Sequence, residues 1–330
     1  MKLSLARVTL AALTIGALTA CGSGAPSDTT ASSSAAGGAF PRTVEHAMGS
    51  TTIPSQPQRV AALDASFTDA TLMLDTQVVA FTEYNTLGDK LPDYLGASAT
   101  NYGAQAQSVG KLAAPSLEKI VAVKPDLIVS AKVRHAKEYA QLTGIAPTVF
   151  SETTGPTWKD NIRLLAKALG KESLAEQRLS EYEAQARRVG DAVKAKSGPD
   201  TTISVVRFLD GPTRMYGKKS FSGIVLQDAG LARPASQNID EFMTEISAER
   251  IPSADGTKIF VTTNGGKGVD SLTTYRQNPL WAPLEPRTVE VKDAEWMSAV
   301  SVQGAYHILA DLAKAFDVPG PVIPSWISGK

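Results

Sequence analysis

Short apolar runs alternate with helically spaced stretches through the first half of this chain. Residues 59–64, 78–81, 126–130 and 147–150 are apolar runs too short for helices and read as strands buried on both faces. Between them, residues 67–74, 117–123 and 136–143 carry helical spacing. Strands alternating with helices predict a mainly parallel sheet covered on both sides.

The pattern then changes. Thr157 is placed to cap a helix, with Asp160 three residues on, an apolar stripe of Trp158, Ile162, Leu165 and Leu169, and Gly170 as its stop. A second helix runs from Glu172 to about Lys196, with Leu174, Leu179, Tyr182, Ala186, Val189 and Val193 on one face and charges on the other. At ~1.5 Å per residue it spans about 37 Å, the width of a lobe. Beyond it, strands are predicted at 201–207, 214–217, 258–263 and 287–291, with helices near 222–229 and 300–316. The expected organisation is an N-terminal lobe (40–156), a helical connection (157–197) and a C-terminal lobe (198–330). Gly265-Gly-Lys-Gly268 lacks the spacing of a phosphate-binding loop and reads as a turn after a strand.

The N-terminus adds an address. Lys2 and Arg7 precede an apolar stretch from Val8 to Leu18, about 11 residues against the ~20 of a membrane-spanning helix. Leu18-Thr19-Ala20-Cys21 follows, and Cys21 is the only cysteine of the chain. This resembles a bacterial lipobox. Residues 1–20 would be the lipoprotein signal peptide, and Cys21 the lipidated N-terminus holding the protein on the outer face of the cytoplasmic membrane. Residues 21–39, rich in Gly, Ser, Ala and Thr, read as a tether reaching about 25 Å. Removing residues 1–20 takes away Lys2 and Arg7 and no acid, so the remainder is nearly neutral. That balance gives no footprint for nucleic acid or an anionic membrane.

One segment echoes another. Ser116-Leu-Glu118-Lys-Ile120 recurs as Ser247-Ala-Glu249-Arg-Ile251, and Ile128 and Ile259 follow each serine by the same interval. Each unit reads as serine cap, acid in the first turn, short helix, then buried strand. Ser-x-Glu is good helix-start chemistry by itself. Two lobes carrying the same acid at the same point also suit a paired contact with a two-fold partner.

With these landmarks, together with Val109-Gly-Lys-Leu112, Ala146-Pro-Thr-Val-Phe150, Val205-Val-Arg-Phe208, Gly223-Ile-Val-Leu-Gln-Asp-Ala-Gly230 and Trp296-Met-Ser298, the chain resembles the substrate-binding lipoproteins of ABC importers for iron–siderophore complexes, over about residues 41–317. The resemblance implies the class III periplasmic-binding-protein fold: two α/β lobes, each a mainly parallel sheet flanked by helices, joined by one long rigid helix. It implies a monomer that holds ligand between the lobes and closes little. Glu118 and Glu249 match the exposed glutamates that dock onto arginines of the dimeric permease, which works with its ATPase.

Such a protein binds a metal complex already fully coordinated, so it needs donors for an oxygen shell and flat apolar surfaces, with no cofactor or metal ligands of its own. Arg207 ends a predicted strand and Arg134 follows one, where α/β clefts open, and guanidinium forks suit paired oxygens. Trp296, Tyr216 and Tyr84 are the candidate apolar surfaces. Where the family usually carries an acid, Val133 stands, which leaves ligand choice open there. The expected ligand is a ferric siderophore of hydroxamate type, with ferric citrate, haem and cobalamin as alternatives; haem would draw on Tyr84 or Tyr216.

Two rival classes are weaker. Ser116-Leu-Glu-Lys119, Ser236-Gln-Asn238 and Lys196-Ser-Gly198 mimic a penicillin-binding acyl transferase, but in the wrong order. His46, His135 and His307, the only histidines, lie far apart in sequence, unlike a zinc site. No nucleophile–base arrangement is visible, and no catalysis is expected.

Overall fold

A computed structural model of the chain describes residues 39–84 and 87–329. The signal-peptide reading of residues 1–20 and the lipidation of Cys21 fall outside these residues. Among the described residues no helix is long and apolar enough to cross a membrane.

The chain opens with an antiparallel hairpin, β1 (Arg42–His46) and β2 (Gly49–Ile53), which buries only Val44 and Ile53 and had no apolar run to announce it. The first lobe follows. β3 (Arg59–Ala62) leads into α1 (Ala65–Met73), capped by Asp64, whose carboxylate accepts from the Ser66 amide at 3.0 Å. Next come β4 (Gln77–Phe81), α2 (Gly96–Tyr102), β5 (Gln107–Ser108) and α3 (Leu117–Ala122). β6 (Leu127–Ala131), α4 (Lys132–His135), α5 (Tyr139–Thr143) and β7 (Thr148–Ser151) complete it. The helix expected over 136–143 is thus only α5, and the short α4 before it was not expected. The sheet order is β5-β4-β3-β6-β7, parallel throughout.

Two helices carry the chain across, α6 (Trp158–Leu169) and α7 (Glu172–Ser197). The predicted stripe of α6 is buried, and Gly170 ends it with φ +70°. Thr157 does not cap it; its hydroxyl turns to the Thr153 carbonyl and Asn161 instead. α7, about 39 Å long, is fixed at its start by Arg178, whose guanidinium grips both oxygens of Asp75 at 3.0 and 2.9 Å and lies over the Trp326 ring. Further along, Gly190 lets α7 approach so closely that a Cβ there would collide with the Ala229 carbonyl.

The second lobe contains β8 (Ile203–Phe208), β9 (Thr213–Tyr216), α8 (Phe221–Asp228) and β10 (Met243–Ile246). A 3-10 segment (Ala248–Ala254) leads to β11 (Lys258–Thr263), α9 (Gly265–Arg276) and β12 (Thr288–Glu290). The order is β10-β9-β8-β11-β12. β8, β11 and β12 run parallel, whereas β9 and β10 are antiparallel additions, so this sheet is less parallel than expected. The glycine run at 265–268 is the first turn of α9 rather than a loop; Gly268 sits where a Cβ would strike the Phe208 carbonyl.

A π-helical turn (Ala294–Ser298) precedes α10 (Val302–Ala315), and α11 (Ser325–Ser328) ends the described chain. These last helices do not stay with the second lobe, as a division at 198–330 assumed. The Ser301 hydroxyl reaches Asp69 of α1 at 2.9 Å, Gln303 donates to the Asp69 carbonyl at 3.0 Å, and α11 packs on α2. One apolar cluster therefore runs unbroken from Val60 and Phe67 through Trp158, Leu179 and Leu309 to Val205 and Phe260. Separate clusters cover the outer face of each sheet.

Candidate functional site

The carboxyl ends of the parallel strands face one another across a cleft of about 300 Å³. The first lobe supplies Asp64, Tyr84 and Arg134, the second Arg207, Arg214, Tyr216 and Phe242. A second hollow, about 510 Å³, shares Glu83, Leu112 and Arg134 and adds Lys111 and Val133 along the first-lobe rim. Together these have the size of a small-molecule site.

Arg207 stands near the end of β8. Its Nε and Nη2 each donate to one oxygen of Asp293 at 2.7 Å, and Nη1 reaches the Tyr216 hydroxyl at 3.4 Å. The same two oxygens also accept from Thr262 and Asn264, both at 3.1 Å. The ends of β8, β11 and β12 thus converge on one carboxylate. Burial opposes the Arg207 charge, but the Asp293 hydrogen bonds and charge hold its pKa above the ordinary value.

The first lobe repeats the device more openly. Arg134, in α4 just past β6, donates from Nε to Asp64 Oδ2 at 2.9 Å. Asp64 is buried and its other oxygen also caps α1, whereas the Arg134 side chain is half-exposed. Arg214 is the third guanidinium. It meets the exposed Glu245 at 3.4 Å, and its buried Nε has no partner among the described residues. Beside it Tyr216 (3% exposed) meets Phe242 edge to face at 5.5 Å. Phe242 is 45% exposed, an unusual state for a phenylalanine and one that leaves a flat apolar face at the cleft.

Tyr84 is among the residues lining the cleft, but it is buried and its hydroxyl turns inward to Asp69 at 2.6 Å. Tyr94 and Ser301 donate to the other Asp69 oxygen at 2.8 and 2.9 Å. Burial raises the Asp69 pKa to about 7 against the lowering effect of these bonds, and burial with the Asp69 charge raises that of Tyr84.

Arg134, Arg207, Tyr84 and Tyr216 are thus brought to one cleft, and Trp296 is not. It is fully buried, stacked on Phe260 at 4.7 Å, with its indole N–H donating to Asp311 at 2.8 Å. The π turn points Trp296 into the core and presents Met297 and Ser298 to the cleft. Sequence reasoning also missed Arg214, Phe242, Asp64 and Asp293. Arg214 had a usable signal, since it lies two residues before Tyr216 on one strand and shares its face. Asp293 had none, because only the parallel pairing of β11 and β12 carries it to Arg207.

Glu118 and Glu249 are exposed, each in the first turn of its segment. Ser116 caps α3 as expected, its hydroxyl accepting from the Lys119 amide at 3.3 Å. Ser247 does not cap its segment that way; its hydroxyl and the Glu249 backbone lower the Glu249 pKa. Of the acyl-transferase mimics, Ser236 donates to the Ser253 carbonyl and Lys196 to Asp317. Each histidine bonds separately: His46 to Thr51, His135 to Ser130, His307 to the Tyr94 carbonyl. Among the described residues no cluster of three or more His, Cys, Asp or Glu could hold a metal ion.

Comparison with known proteins agrees with this architecture. The "Probable siderophore-binding lipoprotein YfiY" of Bacillus subtilis is 35% identical over 293 residues, 83% of this chain and 87% of that protein. The "Fe(3+) dicitrate-binding periplasmic protein FecB" of Escherichia coli is 27% identical, over 84% of this chain and 91% of its own length. Among solved structures, Staphylococcus aureus SirA complexed with staphyloferrin B superposes with a TM-score of 0.76 at 29% identity, covering 84% of this chain and 99% of that one. The profile described as periplasmic binding protein matches residues 60–286, and members of this family are binding proteins rather than enzymes. With two α/β lobes about a helical joint and a cleft at their strand ends, the chain belongs to the periplasmic binding protein family.

Proposed function

We propose that this protein captures a ferric siderophore between its lobes and delivers it to a membrane ABC permease. The observation that carries the reading is the convergence of Arg134, Arg207 and Arg214, from both lobes, on one cleft beside the Tyr216–Phe242 pair. Guanidinium N–H groups donate to the oxygens that already coordinate the iron, and the aromatic pair receives the organic arms. No bond is made or broken. The lining supplies donors and apolar surface, and its hydroxyls at Thr82, Thr154 and Ser298 have no histidine beside them in that lining. The unbroken core beneath the cleft supports capture with little lobe movement.

Delivery uses Glu118 and Glu249, which offer one exposed carboxylate per lobe to a two-fold permease with its ATPase. Lipid on Cys21 and the tether after it keep the monomer on the outer face of the cytoplasmic membrane. Ferric citrate is the second reading, favoured by the FecB relative. Haem is less well served, because the Tyr84 hydroxyl is committed to Asp69 and that of Tyr216 is set against Arg207.

The test is quenching of intrinsic fluorescence in the full chain by ferric hydroxamates, ferric citrate, haem and cobalamin. Saturable binding of a ferric complex is expected, weakened roughly tenfold or more in Arg214→Ala, the size of a lost charged hydrogen bond. Silence toward every ferric complex would overturn the reading.

A further inference from the structure

The cleft is rich in arginine but not in net positive charge. Arg207 is clasped by Asp293, Arg134 by Asp64, and Arg214 leans on Glu245. Lys111 and Glu83, of opposite charge, both line the adjoining hollow. Next to Val133 of that hollow, Lys132 is likewise paired with Glu152. Three of the four cations thus stand in direct ion pairs, and the four are balanced in number by four carboxylates. Two of those carboxylates, Asp64 and Asp293, are largely buried and held by other donors as well.

A guanidinium neutralised on one edge keeps N–H donors on the other but loses most of its long-range pull on an anion. The two acids also stand close behind any ligand the arginines would hold, and repulsion between like charges is an established means of rejecting wrong partners. We propose that Asp64 and Asp293 set the charge selectivity of the cleft, so that it takes ferric complexes of low net charge, such as neutral trihydroxamates, and rejects the triply negative ferric tricatecholates. This inference rests on the proposed siderophore function and adds a specificity role for two residues that touch the arginines rather than the iron complex.

A purely structural role for the acids is the alternative. Arg207 and Arg214 are direct cross-strand partners on β8 and β9, and like charges so placed need neutralising. The two roles part in the readout. A structural acid, once removed, weakens binding of every ligand together, whereas a selectivity acid changes the ratio between ligands.

The experiment measures affinities of the full chain for a neutral ferric trihydroxamate, ferric citrate and a ferric tricatecholate, in the native protein and in Asp293→Asn and Asp64→Asn. Both substitutions keep an acceptor oxygen, asparagine remains a good cap for α1, and thermal melting checks that each variant is folded. The native protein is expected to bind the trihydroxamate at least tenfold more tightly than the tricatecholate. Each variant should raise the tricatecholate-to-trihydroxamate affinity ratio by roughly tenfold, as expected for losing one unit charge several ångströms from a trianion. A native preference for the tricatecholate, or an unmoved ratio in two folded variants, overturns the inference while leaving the siderophore function standing. Failure to bind any of the three overturns both.

Discussion

The two lobes set the same strand order around a shared helical layer, yet they differ in how one edge of each sheet is made. β3-β6-β7 and β8-β11-β12 are matching parallel trios, and α3 and the 3-10 segment at 248–254 enter them at the same place. On the other side of the trio, the first lobe adds β4 through the crossover helix α1, in parallel. The second adds β9 through a short loop, antiparallel. The crossover buries α1 on all sides and with it the carboxylate of Asp69. The hairpin instead places Arg214 and Tyr216 beside Arg207, so the second lobe concentrates guanidinium where the first has a single half-exposed Arg134. A change in the hand-over between two strands thus decides where buried charge can be kept.

The largest expected effect separates the two clasped arginines. Arg207→Ala leaves Asp293 largely buried with its main counter-charge gone and should cost about 3–5 kcal/mol in urea unfolding. Arg134→Ala should cost less, about 1–2 kcal/mol, because that half-exposed side chain gives Asp64 a single hydrogen bond where Arg207 gives Asp293 two. Equal losses would erase the distinction drawn between the lobes.

A smaller effect tests Asp69, the fully buried acid of α1. With Asp69 raised from an unfolded value of 3.8 to about 7, the native state holds a proton that the unfolded chain releases. Its contribution to stability is full at acid pH and fades as pH climbs through about 7. Between pH 5 and pH 8 the native protein should lose about 2–3 kcal/mol by this route, and Asp69→Asn should flatten that part of the profile. A wild-type slope retained in the variant would assign it to other groups.

The smallest effect concerns the lobes' shared feature. Glu118→Ala and Glu249→Ala should leave ferric-siderophore affinity in vitro unchanged and each slow uptake in cells, the double variant most. If only one of them matters, the lobes do not dock as equivalents.

Much of this was legible in the order of residues. Runs such as Leu127–Ala131 and Lys258–Thr263 are buried strands because they are apolar without alternation, which only a sheet covered on both faces accommodates. The stripe of α7 was equally plain, since 3.6-residue spacing survives in any helix packed on one side. The hairpin β1–β2, the start of α9 and the Trp296 side chain were not. Glycines favour a turn locally, yet α9 starts there, with Gly268 lying against Phe208 where a Cβ would not fit. Trp296 stood beside residues that do face the cleft, and neighbours in a π turn point in different directions.

What the sequence determined by itself was the succession of strands and helices, the long joint between two lobes, and which arginines fall near strand ends. Those follow from periodicity and local propensity, which act over a few residues. Only the tertiary structure decided that Asp293 would reach Arg207, that Phe242 would face the cleft while Trp296 went inside, and that α10 would lock onto Asp69 more than 200 residues away. Such contacts join segments far apart in the chain, and a carboxylate finds its guanidinium only after sheet pairing has set the distance between them.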